Sequence, residues 1–120
     1  MAVHVLEHVY RWEAVPVLQE WLRLLKPGGQ LILELPCMNK VFAYLQQLGQ
    51  GHQQILAQMV HWALWGDPRY GDPSMVHRWG YSMEEVEQVL IEAGAQRITF
   101  APVRYHRKDR DMRVIGYKGV

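Results

Sequence analysis

Between Glu13 and Leu35 the hydrophobic period switches from that of a helix to that of a strand, and this switch constrains the fold more than any other feature. Ala14, Val17, Leu18, Trp21, Leu24 and Leu25 recur at helical spacing and predict one apolar stripe against a core. Pro16 falls in the first turn, where its missing N–H costs nothing. Lys26-Pro27-Gly28-Gly29 then stops the helix, because proline cannot continue it and glycine supplies a positive-φ turn. Gln30 to Leu35 (QLILEL) reads as a strand ended by Pro36, and Ala2 to Leu6 as a short buried strand. A strand, a crossover helix and a second strand make a βαβ unit, so the sheet should be parallel here.

Farther along, Met38 to Leu48 and Gln53 to Trp65 are helix candidates, with Gly49-Gln50-Gly51 between them. Their apolar residues spread around more than one face, which suits helices buried in an interface or covering a site. Gly66 to Gly80, with its Asp-Pro pairs and glycines, reads as loop. Ser82 and Glu85 form a capping box ahead of Val86, Val89, Leu90 and Ala93, and Gly94 closes that helix. Gln96 to Val103 and Met112 to Lys118 are strand candidates. The charged connection between them, Arg104 to Asp111, is short enough for a hairpin, so these strands should be antiparallel. The expected order is β-α-β-(α)-α-β-β, in one α/β domain covering residues 1–120.

Composition narrows the function classes. Thirteen Lys+Arg against 12 Asp+Glu leave a net charge of +1, without the basic excess of a general nucleic-acid binder. The basic run Arg104 to Arg113 is interrupted by acids and suits a solvated hairpin tip. The lone Cys37 can make no intramolecular disulfide and has no neighbouring base in sequence to activate it. No apolar run approaches the ~20 residues of a membrane span, and the N-terminus lacks the basic region of a signal peptide. The expectation is a cytoplasmic protein.

His4-Val5-Leu6-Glu7-His8-Val9, followed by Leu25-Lys26-Pro27-Gly28-Gly29-Gln30-Leu31-Ile32-Leu33, resembles class I (type 11-like) S-adenosylmethionine-dependent methyltransferases. In that family a "vLEHv" segment ends the fourth strand, and a helix ending in "LkPGG" leads to the fifth. His77-Arg78-Trp79-Gly80-Tyr81-Ser82, the capped helix and Gly94-Ala95 also look like the family, so the resemblance runs over essentially the whole chain. It implies the carboxyl half of a Rossmann-like methyltransferase sheet, with strands equivalent to 4-5-7-6 and an antiparallel last strand. The family's first three strands, the Gly-rich loop and the ribose-binding acid have no counterpart in these residues. Gly49-Gln50-Gly51 lies between helix candidates and is only superficially similar to that loop. By itself this truncated sequence does not build the usual cofactor site.

The resemblance also places candidate residues. Leu6, Glu7 and His8 would sit at the carboxyl end of strand four, beside the methionine part of S-adenosylmethionine; otherwise Glu7 and His8 satisfy the next loop and helix. Pro36 and Asn39 follow strand five, the usual wall for the acceptor substrate, although Asn39 also suits a helix cap. His77, Trp79 and Tyr81 would line the acceptor pocket, with His77 the candidate general base; the alternative is a loop pinned to the sheet. Tryptophans 62, 65 and 79 could instead stabilise an oligomer interface. His4-Val5-Leu6-Glu7-His8 also fits H-x-x-E-H, a zinc-peptidase pattern, but that pattern needs a helix where this segment reads as strand, so no metal site is expected.

Loss of strands one to three leaves strand four as an edge, and an open edge invites pairing. Two functions are therefore carried forward. One is a non-catalytic methyltransferase-like remnant, a binding or assembly module that forms a homo-oligomer through Ala2-Leu6 or the mid-chain helices. The other is an active small-molecule methyltransferase whose cofactor-binding half comes from another chain. Neither calls for a membrane or a nucleic acid.

Overall fold

The computed structural model describes residues 1–48 and 54–120, so Gly49-Gln50-Gly51 and Gln53 lie outside the described residues. In chain order the elements are β1 (Ala2–Val3), α1 (Ala14–Leu24), β2 (Gln30–Pro36), α2 (Met38–Leu48), α3 (Gln54–Trp65), α4 (Met83–Ala93), β3 (Gln96–Ala101) and β4 (Asp111–Tyr117). They build one sheet in the order β1-β2-β4-β3. β1 runs parallel to β2, while β4 is antiparallel to both β2 and β3. The chain therefore has a mixed α/β fold with an open four-stranded sheet.

The first strand is shorter than the expected Ala2 to Leu6. His4 turns into the left-handed region (φ 54°), and Leu6–His8 winds into a single 3-10 turn. The His4 N–H still donates to the Glu34 carbonyl at 2.7 Å, which carries the ladder one residue past Val3. Its ring explains why the chain turns there: His4 Nδ1 lies 2.9 Å from Glu7 Oε2 and Nε2 lies 3.1 Å from Asp111 Oδ2. A residue held between two carboxylates has no freedom to stay extended. Pro36, expected to end the second strand, is its last member and pairs with Asp111.

Alternation along β2 sends Leu31, Leu33 and Leu35 to one face, where they meet Leu18 and Leu22 of α1, Val86, Val89 and Leu90 of α4, and Met112 and Val114 of β4. Burial of each such side chain is worth roughly 1.5–3 kcal/mol relative to exposure, so this layer carries the fold. The stripe of α1 differs slightly from expectation. Ala14, Leu18 and Leu22 form its buried line, Val17, Trp21 and Leu25 are half-buried, and Leu24 is 68% exposed.

The opposite face of β2 buries a charge. Glu34 stands across from Arg113 in the ladder and accepts from its guanidinium at 2.6 Å. The main-chain N–H groups of Arg104 and Tyr105 donate to the same carboxylate at 3.0 and 3.2 Å. Burial alone would raise this carboxyl, yet those three donors hold it below its ordinary value. β3 ends at Ala101, short of the expected Val103, and carries one extra residue between its pairs Gln96↔Tyr117 and Thr99↔Ile115. Arg97 absorbs that bulge at φ 50° and stacks on the Tyr117 ring.

At α4 the sequence signals are followed closely. Ser82 Oγ accepts from the Glu85 N–H at 3.1 Å, and Gly94 caps the other end in the left-handed region at φ 101°. Ser82→Ala should lower stability by about 1 kcal/mol, or roughly 4 °C in melting temperature, measurable by thermal unfolding. The two mid-chain helices share a smaller cluster of Met38, Val41, Val60 and Ala63. Among the described residues no helix is long and apolar enough to cross a membrane.

Candidate functional site

β1 and β2 end side by side, and their carboxyl ends place polar side chains from distant parts of the sequence together. Glu7 sits in the 3-10 turn after β1 and is 1% exposed. The loop before α4 folds over it: the N–H of Arg78 donates to the Glu7 carbonyl at 2.7 Å, and the Arg78 guanidinium donates to the His8 carbonyl at 2.9 Å. Two Asp-Pro turns shape this loop. Asp67 and Asp72 each accept from the N–H two residues on and cap 3-10 turns at Pro68–Tyr70 and Pro73–Met75.

That fold-over brings His77 to Glu7 and His8. His77 Nε2 is 3.9 Å from Glu7 Oε2, and the His8 and His77 rings meet edge to face with centroids 4.7 Å apart. His77 Nδ1 lies 2.8 Å from the Ala63 carbonyl and His8 Nδ1 lies 3.2 Å from the Val76 carbonyl. A carbonyl only accepts, so each Nδ1 carries the proton and each Nε2 of the neutral ring keeps a lone pair. Burial pushes the His77 imidazole below its ordinary value and outweighs the pull of the Ala63 carbonyl, so the ring is neutral at neutral pH.

His4 behaves in the opposite way. Burial would lower it, but the hydrogen bonds of its ring to Asp111 and Glu7 override that and raise it to about 9. The imidazolium links the turn after β1 to the start of β4. Asp111 is fully buried, and although burial would raise its carboxyl, His4 and Arg110 hold it far below the usual carboxylate range. Nothing in the local sequence signals this hook, because its partners are separated by more than a hundred residues.

The expected pocket residues divide sharply. Leu6 and Tyr81 are core side chains at 1% and 0% exposure, and Pro36 is buried within the sheet. Asn39 bridges helices: its Oδ1 accepts from the Met83 N–H at 2.8 Å, so it caps α4 rather than its own α2. The Trp79 indole N–H donates to Glu85, which fixes the ring against α4. Trp65 is 60% exposed, and Trp62 lies under the Arg69 guanidinium. Among the described residues, Glu7, His8 and His77 are the group whose possible ligand atoms come together.

Tyr81 allows a clean check on this division. Its hydroxyl is buried without a partner among the described residues, and burial above all pushes it up to about 12, so it does not ionise. Tyr81→Phe should leave stability unchanged or raise it by up to about 1 kcal/mol, because an unsatisfied buried hydroxyl costs free energy. Equilibrium unfolding of both proteins measures this directly.

No family model and no curated protein matches this sequence. Among solved structures, a protein of Nostoc punctiforme PCC 73102 that is provisionally designated an O-methyltransferase aligns over 98% of this chain with a TM-score of 0.59 at 13% identity. The alignment covers 30% of that protein's own length. What the two share is a fold, and this chain corresponds to under a third of the larger protein's methyltransferase-like structure.

Proposed function

We propose that these residues form the carboxyl-terminal portion of a class I methyltransferase-like sheet, serving as a binding or assembly module that transfers no methyl group by itself. On this reading β1, β2, β4 and β3 stand where the family has strands 4, 5, 7 and 6. The observation that carries it is the use made of several expected cofactor and acceptor positions. Tyr81 and Leu6 fill the core, Asn39 caps α4, and Trp79 is held by Glu85. Side chains fixed in those ways leave little to orient an acceptor molecule. These residues also lack the Gly-rich loop whose N–H groups would approach S-adenosylmethionine. Assembly with a second copy would run along the outer edge of β1 or over the mid-chain helices.

Calorimetric titration with S-adenosylhomocysteine, with mass in solution recorded on the same sample, tests this. Absence of binding by an oligomer supports the module. Saturable micromolar binding overturns it, since a working cofactor site would then be present. Absence of binding by a monomer favours the other arrangement, in which a separate chain supplies the cofactor-binding half of an active methyltransferase.

A further inference from the structure

We propose that Glu7, His8 and His77 form a binding site for a divalent transition-metal cation, with zinc as its first candidate. One ligand atom from each residue lies within 4.8 Å of those of the other two. The site is independent of any role in methyl transfer.

Convergent lone pairs are the first argument. Both imidazoles turn Nδ1 to main-chain carbonyls, of Val76 and Ala63, so in the neutral rings Nε2 is the nitrogen left free to ligate. A histidine that ligates a metal characteristically donates its other N–H to a carbonyl in this way, which fixes the ring and its tautomer. Between His77 Nε2 and Glu7 Oε2, at 3.9 Å, two acceptors face each other with no hydrogen between them. A cation is the species that turns such a contact from repulsive to attractive.

Glu7 itself calls for a cation. Its carboxylate is 1% exposed, and only Oε2, beside His4 Nδ1 at 2.9 Å, has a close partner among the described residues. His4 sits at ion-pair distance from Oε2 and orients the group. Oε1 has no hydrogen-bond partner among the described residues. An unsatisfied buried carboxylate oxygen is costly, and charge-assisted bonds or metal coordination are the usual ways to satisfy one.

Ligand chemistry sets the class of ion. Two imidazoles and one carboxylate suit zinc and its first-row neighbours, whereas magnesium and calcium prefer all-oxygen sites. A tetrahedral ion with bonds of ~2.0–2.2 Å holds its ligand atoms about 3.3–3.6 Å apart, so the three side chains need to draw in by at most about 1.5 Å. Three protein ligands leave a coordination position open, and His8 is only half-buried, so water or a small anion can reach it.

The sequence signal for this site was divided. H-x-x-E-H presents His4, Glu7 and His8 together, but both ring nitrogens of His4 are taken up by Glu7 and Asp111, and its place is filled by His77 from the loop before α4.

The test is zinc chloride titrated by calorimetry into metal-stripped chain, with magnesium chloride as the control. We expect one equivalent of zinc, no magnesium binding, and a melting temperature higher by roughly 11 °C at a hundredfold excess of free zinc over Kd. Glu7→Gln and His8→Ala should each weaken zinc binding at least ~100-fold, beyond what loss of a ligand's supporting partner costs. His61→Ala, an exposed histidine on α3, should change nothing. On the unsubstituted chain, one equivalent should shift the ring-nitrogen resonances of His8 and His77 together. Absence of zinc binding, unchanged affinity in both ligand variants, or resonances that stay in place would each overturn the proposal. Cofactor binding enters none of these readouts, so this test and the S-adenosylhomocysteine test fail separately.

Discussion

Arg113→Met should lower the stability of this domain by about 3 kcal/mol, or roughly 12 °C in melting temperature, because it strands a buried carboxylate. Glu34 and Arg113 oppose each other in the β2–β4 ladder at 1% and 6% exposure, with 2.6 Å between guanidinium and carboxylate. Removal of one member of a buried pair typically costs 3–5 kcal/mol. The lower end applies here, since Arg104 and Tyr105 still donate two main-chain N–H groups to Glu34. Adding Glu34→Gln should recover part of the loss, because no charge is then buried. Recovery stays incomplete: one amide oxygen replaces two carboxylate oxygens.

The pH dependence of that variant fixes the mechanism. In the natural chain Glu34 sits below its ordinary value of 4.5, so its contribution is complete above that pH and is lost as pH falls below it toward the folded-state value. Without Arg113, one of the donors that lower Glu34 is lost and the carboxyl moves upward, so the variant loses less stability in acid than the natural chain does. The stability gap between the two proteins should therefore narrow from pH 7 to about pH 4. Denaturant unfolding at a series of pH values measures it, and a gap that stayed constant would mean the loss came from packing alone.

The two halves of this fold were unequally legible. The βαβ unit, α4 with its Ser82 and Gly94 ends, and the antiparallel hairpin all follow local rules that leave a local trace: period, cap and turn chemistry. Even the strand order came from a resemblance carried by short segments such as LEH and KPGG. The site did not follow in the same way. Whether Tyr81 fills a core or faces a ligand depends on which element covers it, and Asn39 caps a helix more than forty residues later. The hook of His4 on Asp111 ends β1 early by a contact that no window of sequence contains. The structure groups Glu7 and His8 with His77 for the same reason, through a loop closed by main-chain bonds to the Glu7 carbonyl.

That loop rests on Gly66, and Gly66→Ala should cost about 3 kcal/mol while displacing His77. Gly66 follows α3 at φ 91°, a conformation that costs an L-residue roughly 1–2 kcal/mol. A Cβ there would also stand 2.5 Å from the Met75 carbonyl oxygen, a main-chain atom with no rotamer to retreat into. The chain on both sides is tied: Gly66 N–H donates to Trp62 O at 2.8 Å, and His77 N–H donates to Trp65 O at 3.1 Å. Relief of the clash therefore has to move Met75 away, and His77, two residues on, moves with it. Gly71→Ala separates strain from clash. Gly71 has φ 65°, but a Cβ there meets nothing within 4 Å, so only the conformational cost remains, about 1 kcal/mol. Thermal unfolding should rank the natural chain, Gly71→Ala and Gly66→Ala in falling order, with the His77 ring resonances shifted only in the last. Equal losses in the two variants would show that the Met75 carbonyl yields freely and that the loop holding His77 is softer than its hydrogen bonds imply.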